Sequence, residues 1–293
     1  MIKKLQFSLF SLFLCSVSLL AETSVWKITK GRGTLYIGGT CSLLRSADFP
    51  LPQEFDQAFR NSDQVYLETD FGQVQSPKMQ EAIAAQSVYP DGTTLESLLA
   101  PETWKSVQAS CTVAGIPADN LKKVRPWRCA SMLTALGLQR MDWSRQSADQ
   151  YYYQKAFSAG KTVGRLETAE QHLDYLAHLG IGHENQLIQY SLNDISKSPE
   201  KSDQLVRAWK TGDLAKVDEL SLREMREQYP VVYQELIVSR NTALLPQLES
   251  LLDSRKSKLV LVNIDNLAGA DGLLAQLREQ GYTIEQSRQI ARN

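Results

Sequence analysis

Two acids stand where strand-like runs end: Glu68 closes Val65-Tyr66-Leu67, and Glu167 follows the run Lys161 to Leu166. Arg240-Asn241 lies in a helical stretch spaced by Leu236, Leu244 and Leu248. A carboxylate so placed can cap the next helix or pair with Arg240, or it can act as a general base toward a bound water. Two strand-to-loop junctions add polar tips. One reads Gly38-Gly39-Thr40-Cys41-Ser42 and the other Asn263-Ile264-Asp265-Asn266. Cys41 and Asp265 are competent metal ligands, whereas a serine hydroxyl and an asparagine carbonyl hold transition metals poorly.

Other chemistries find less support. His172 and His178 are six apart, which does not stack them on one helical face. They read as surface histidines, as does His183. No Gly-x-Ser-x-Gly elbow and no phosphate-cradling glycine loop is present, so serine hydrolase and nucleotide chemistry have no motif behind them. Tyr151-Tyr152-Tyr153 points its rings in different helical directions, which suits packing better than a ligand platform.

Several blocks follow along the chain: the acid-ended strand through Asp70, then Arg125-Pro126-Trp127, Ala148-Asp149-Gln150-Tyr151, Gly160-Lys161-Thr162-Val163 and Leu166 to Gln171. Trp209 with Gly212-Asp213, Arg240-Asn241, Gly272-Leu273-Leu274 and Gly281-Tyr282 complete the series. Together with the two tips, they resemble the family that includes TraB, GumN and the Tiki metallopeptidases. That resemblance implies a Gly-x-x-His motif at each junction, whose paired imidazoles hold a divalent metal for hydrolysis. Here the histidine positions fall on Ser42 and Asn266.

The resemblance therefore implies an inherited pocket without its metal ligands. Glu68, Glu167 and Arg240 are the catalytic-type candidates, with Ser42, Asn241 and Asn266 around the same cleft. No metal or other cofactor is expected, and the leading reading is a catalytically degenerate protein that binds a peptide or glycan. One alternative is an active metal-dependent hydrolase, a peptidase in kind, with a divalent metal on relocated ligands Cys41, Glu68 and Asp265. Against it, neighbouring strand residues face opposite ways, so a one-residue shift aims both new ligands off the old site. A second alternative is an envelope interaction protein with neither metal nor ligand.

Lys3 and Lys4 ahead of the apolar run Leu5 to Leu20, which ends at Ala21, match a secretory signal peptide. The expectation is an exported protein, periplasmic or secreted, with no stable membrane span once the leader is cleaved. Composition of 43% hydrophobic and 22% charged residues supports a sizeable core, and a net charge of -1 offers no footprint for nucleic acid or anionic membrane. Cys41, Cys111 and Cys129 permit one disulfide with an odd thiol left over. Cys111, in helical phase with Trp104 and Val107, reads as a small buried residue.

Residues 22–293 show no linker and read as a single α/β domain. A hairpin at Trp26 to Gly38, a helix from Pro52 to Arg60 and a strand from Gln64 to Glu68 open it. Strand Lys258 to Ile264, helix Asp271 to Gln280 and strand Tyr282 to Gln286 close it. The shared order of strand, polar tip, helix and strand predicts a mixed sheet from the two terminal units, with both tips at equivalent ends of neighbouring strands. A helical middle covers it, broken by one strand at Lys161 to Leu166 and by Gly212-Asp213, and with a capping box at Thr93 and Glu96.

Overall fold

The computed structural model describes residues 22–31, 33–41, 44–140 and 147–288. Ser42 and the leader therefore lie outside the described residues. Among the described residues six strands are formed: β1 Glu22–Lys30, β2 Gly33–Thr40, β3 Gln64–Leu67, β4 Thr162–Arg165, β5 Lys258–Asn263 and β6 Thr283–Arg288. They make one mixed sheet in the order β4-β3-β5-β2-β1-β6. The fold is α/β, as the pattern of terminal strand-helix-strand units predicts.

The hairpin β1-β2 pairs Trp26 with Ile37, and Gly31 at φ 61 supplies the turn. From β2 the ladder becomes parallel through β5, β3 and β4. Central β5, Lys-Leu-Val-Leu-Val-Asn, is buried along its length up to Asn263, which explains its unbroken apolar run. Thr40 sits opposite Asn263 in the register, so the two polar tips are neighbours at one end of the sheet. The chain leaves β2 toward β3 and leaves β5 the other way toward β6. Crossovers that part in this manner open a crevice outside the carboxyl ends of the strands.

Close approach at the first tip needs glycine twice. A Cβ at Gly38 would meet the Phe55 ring of helix Gln53–Arg60 at 2.8 Å, and one at Gly39 would meet Ile264 Cδ1 at 2.4 Å. Beside them, Trp209 of helix Pro199–Thr211 is fully buried and donates its indole N–H to the Gly39 carbonyl at 2.6 Å. That helix stops at Gly212 in the left-handed region, φ 64, and Asp213 caps the next turn through its side chain.

The middle is a series of helices, with Pro at the first turn of Pro77–Gln86, Pro101–Val113 and Pro199–Thr211. The expected cap at Thr93 is displaced by one residue. Thr94 accepts from Ser97 N–H, because the Thr93 N–H is already turned onto Asp91. Helix Asp271 to Gln280 shortens to Leu273–Glu279, since Asp271 is used elsewhere and Gly281 at φ 83 ends it. One cluster of buried side chains runs from Val25 to Leu277 and includes Cys41, Cys111 and Cys129. No disulfide joins those three. Among the described residues, no helix is long and apolar enough to cross a membrane.

Candidate functional site

The pairing of β3 and β4 continues past both strands, with Leu166 N–H donating to Leu67 O and Glu167 N–H to Glu68 O. The two acids therefore stand side by side at the carboxyl edge. Arg240 begins helix Arg240–Leu252 and reaches both: Nη1 and Nη2 grip Glu167 at 2.5 and 2.6 Å, while Nη2 also meets Glu68 at 2.8 Å. Its guanidinium lies 5.0 Å from the centre of the Tyr175 ring. Burial alone would raise the Glu167 carboxyl, but hydrogen bonds from His172 and Arg240 outweigh it and hold the group below the usual carboxylate range. Burial likewise works against the Arg240 charge, and the two acids more than restore it.

Glu68 spends its other oxygen on the N–H of Asn263 at 2.8 Å, tying β3 to the tip of β5. Asn263 in turn accepts from the Asp265 N–H at 2.9 Å, which bends the chain into the short turn Ile264–Asn266. Asn266 is buried at 6% exposure, and its carbonyl accepts from Asn241 Nδ2 at 3.1 Å. Asn241, wholly buried, also donates to Asp271 O at 2.8 Å. Asn241 Oδ1, Asp265 Oδ1 and Asn266 Oδ1 are buried without a hydrogen-bond partner among the described residues.

Three cavities meet at Asn263. The first, about 240 Å³, is lined by Glu68, Tyr175, Arg240, Asp265 and Asn266. The second, about 180 Å³, shares Glu68 with the first and is also lined by Asp149. A third, about 110 Å³, is lined by Cys41, Tyr190, Ser221 and Asp265. Glu68, Arg240 and Asn266 thus share one cleft, with Glu167 and Asn241 bonded to its walls. Cys41 is buried at the third cavity with Asp265, whereas Glu68 lines the other two. Among the described residues, Cys41, Glu68 and Asp265 do not come together as a metal-holding group.

Three residues join the site that sequence reasoning passed over. His172 binds Glu167 Oε1 through Nδ1 at 2.6 Å, correcting its reading as a surface residue, while His178 and His183 are exposed. The signal was present: Glu167 precedes the N-cap Thr168 and His172 is the fourth helical residue, the two positions a staple joins across a helix start. Asp149 lies one residue into helix Ala148–Ser158. Burial, joined by the nearby Glu68 charge, pushes its carboxyl up to about 7 against hydrogen bonds from Thr40 and Ser147. Ser221 donates to Asp265 Oδ2 at 3.0 Å, yet burial still lifts Asp265 to about 6.

Ser221 belongs to a π-helical turn, Asp218–Leu222, and a second such turn, Gln234–Ser239, leads into Arg240. Each adds a residue to a helical turn and re-aims the residues beyond it, a device that concentrates at functional sites. Here one presents Ser221 and the other sets the phase of Arg240. The tyrosine run packs, as its spacing suggests: Tyr152 is fully buried against Phe55 and donates to Asp56 at 2.7 Å.

A family model, TraB/PrgY/gumN family, matches residues 24–286, nearly the whole chain and every element that builds this cleft. The chain belongs to the TraB/PrgY/gumN family. No curated protein and no solved structure matches it. Among the described residues, no three His, Cys, Asp or Glu side chains come together so as to hold a metal ion. The donor set fits a transition metal badly. Glu68 has both oxygens engaged, the residues at the β5 tip offer amide and carboxyl oxygen, and His172 is turned onto Glu167.

Proposed function

We propose that this TraB/PrgY/gumN-family chain is an exported protein that works as a binding module, its cleft derived from a Tiki-like metal-dependent hydrolase and no longer catalytic. The observation that carries the reading is the commitment of Glu68. An acid serving as metal ligand or general base needs an oxygen open to the reacting centre. In this chain one oxygen of Glu68 holds Arg240 and the other fastens the β5 tip through Asn263 N–H. The acids have become the frame of a pocket, and Arg240 supplies the positive charge between them.

The cleft itself is retained. It sits where parallel-strand proteins place their ligands, and polar and aromatic side chains line it, as expected of a peptide or glycan site. The deciding experiment measures metal in protein purified from the exported fraction, by elemental analysis, alongside hydrolysis of a peptide panel. Less than a tenth of an equivalent of Zn, Mn and Co together, with background hydrolysis, is the expected result. Stoichiometric metal that is lost on Cys41→Ala or Asp265→Ala would replace this reading with an active peptidase on relocated ligands. Absence of the protein from the exported fraction would overturn the localisation alone.

A further inference from the structure

The cavity of about 180 Å³ between the ends of β2, β3 and β5 combines hydrogen-bonding side chains with the apolar walls of Leu67 and Phe71. Hydroxyls come from Thr40, Thr69 and Ser147, carboxyls from Glu68 and Asp149, and Phe71 contributes an aromatic wall. Every polar member except Glu68 can be both donor and acceptor once Asp149 carries its proton. Thr69 Oγ1 is buried with no hydrogen-bond partner among the described residues. Phe71 is held edge-on by Tyr153, with centroids 5.7 Å apart at 70°.

A peptide strand would ask for something else. Extended peptides dock by adding to an open sheet edge, where a row of backbone groups awaits them. β3 and β5 each have a strand paired on both sides, so no such row faces this cavity. A polyol instead meets scattered side chains that each give and take a hydrogen bond, with a ring wall against its C–H face. At ~30 Å³ per water the cavity equals roughly six waters, the scale of one sugar ring. Glu68 and Asn263 are shared with the neighbouring cavity of about 240 Å³, where Tyr175 and Tyr190 offer further rings, so a second sugar unit has a place.

We propose that the paired cavities on either side of Glu68 and Asn263 form two adjoining pyranose subsites, and that the ligand of the cleft is a neutral oligosaccharide. The proposal rests on the binding-module reading and narrows it. Asp149 and Thr69 hold the hydroxyls of the first ring, and Phe71 covers its face. Asn263 lies at the junction of the two rings.

The test is calorimetric titration of the purified protein with cellobiose, maltose and N,N′-diacetylchitobiose, with trialanine as the peptide probe. At least one disaccharide should bind, and Phe71→Ala and Asp149→Ala should each weaken it tenfold or more. Thr69→Val, a milder change, keeps the test decisive should either alanine variant fold poorly, and a fivefold loss is expected there. If trialanine binds and the disaccharides do not, the cleft is a binding site and the sugar assignment is wrong. If no disaccharide and no trialanine binds, both readings lose their ligand, and if a disaccharide binds equally to all three variants, its site lies elsewhere and these subsites are excluded.

Discussion

Arg240 and Glu167 close a two-pronged ion pair at 2.5 and 2.6 Å, with the guanidinium side chain only 5% exposed and the carboxylate 12%. Taking such charges out of water is costly, and the pair is sustained by geometry and by the second acid, Glu68. Removing the cation strands two carboxylates. Arg240→Met should therefore destabilise the fold by about 3–5 kcal/mol in chemical denaturation. The double change Arg240→Met with Glu167→Gln should recover part of that loss, because the burden is unpaired charge and not lost packing.

The histidine on the other side of Glu167 has a different signature. Glu167 is held below its usual value, so its contribution to stability is present above the unfolded carboxylate value and fades as pH falls through the lower, folded one. His172→Ala removes one of the three side-chain hydrogen bonds to Glu167, the other two coming from Arg240. The loss on acidification should still begin at the unfolded carboxylate value, but in the variant it should be smaller and complete at a higher pH, while Arg240 limits the difference. Thermal midpoints between pH 3 and 6 read this directly, and coincident acid limbs would show that His172 does not act on Glu167.

Asp149 has the opposite sign. Its folded value is raised to about 7 from an ordinary 3.8, so the folded protein holds a proton that the unfolded chain has released. Stability falls as pH rises across that window and the cost is complete above it. Asp149→Asn keeps the shape and cannot ionise. Its thermal midpoint relative to the parent should climb between pH 5 and 8, then level off.

Much of this arrangement is legible from residues alone. The buried run of β5, the hairpin glycines and the acids at strand ends follow from local periodicity and turn chemistry, and they place both tips at one edge of the sheet. The features that escape are those that depend on three dimensions. Asp149 gains its meaning only when helix Ala148–Ser158 brings it beside Glu68, and the two π-helical turns interrupt a helical pattern without any breaker in the sequence. The Thr94 cap is one residue from the expected Thr93 for a local reason: two adjacent threonines compete, and Asp91 settles which is free.

Trp209 tests how firmly the first tip is held. Its indole is the donor to the Gly39 carbonyl, and Phe55 packs on it at 6.0 Å between centroids. Trp209→Phe preserves most of the packing and leaves that carbonyl without its partner, a change worth about 1–3 kcal/mol. Disaccharide binding should weaken along with stability, because Thr40, the next residue, lines the cavity. Unchanged affinity in a destabilised variant would separate the tip from the site.

The two tips can also be given back the imidazoles that the family resemblance implies. Ser42→His with Asn266→His puts an imidazole at each position where the resemblance implies one, and an imidazole donates a neutral nitrogen that transition metals prefer to hydroxyl or amide oxygen. Glu68 stands beside the β5 tip with Arg240 and Asn263 N–H on its oxygens, so it is oriented as a supported carboxylate is around a metal, but it must yield one oxygen to bind. The double variant should therefore gain a rise in thermal midpoint with Zn or Co that the parent lacks, and Asn266→His alone should gain little. Adding Arg240→Lys, which loosens the grip on Glu68 while keeping the charge, should enlarge the metal-dependent rise. If the triple variant responds less than the double one, Arg240 orients Glu68 for metal and does not withhold it, and the proposed lack of metal binding in the parent would rest on the two tips alone.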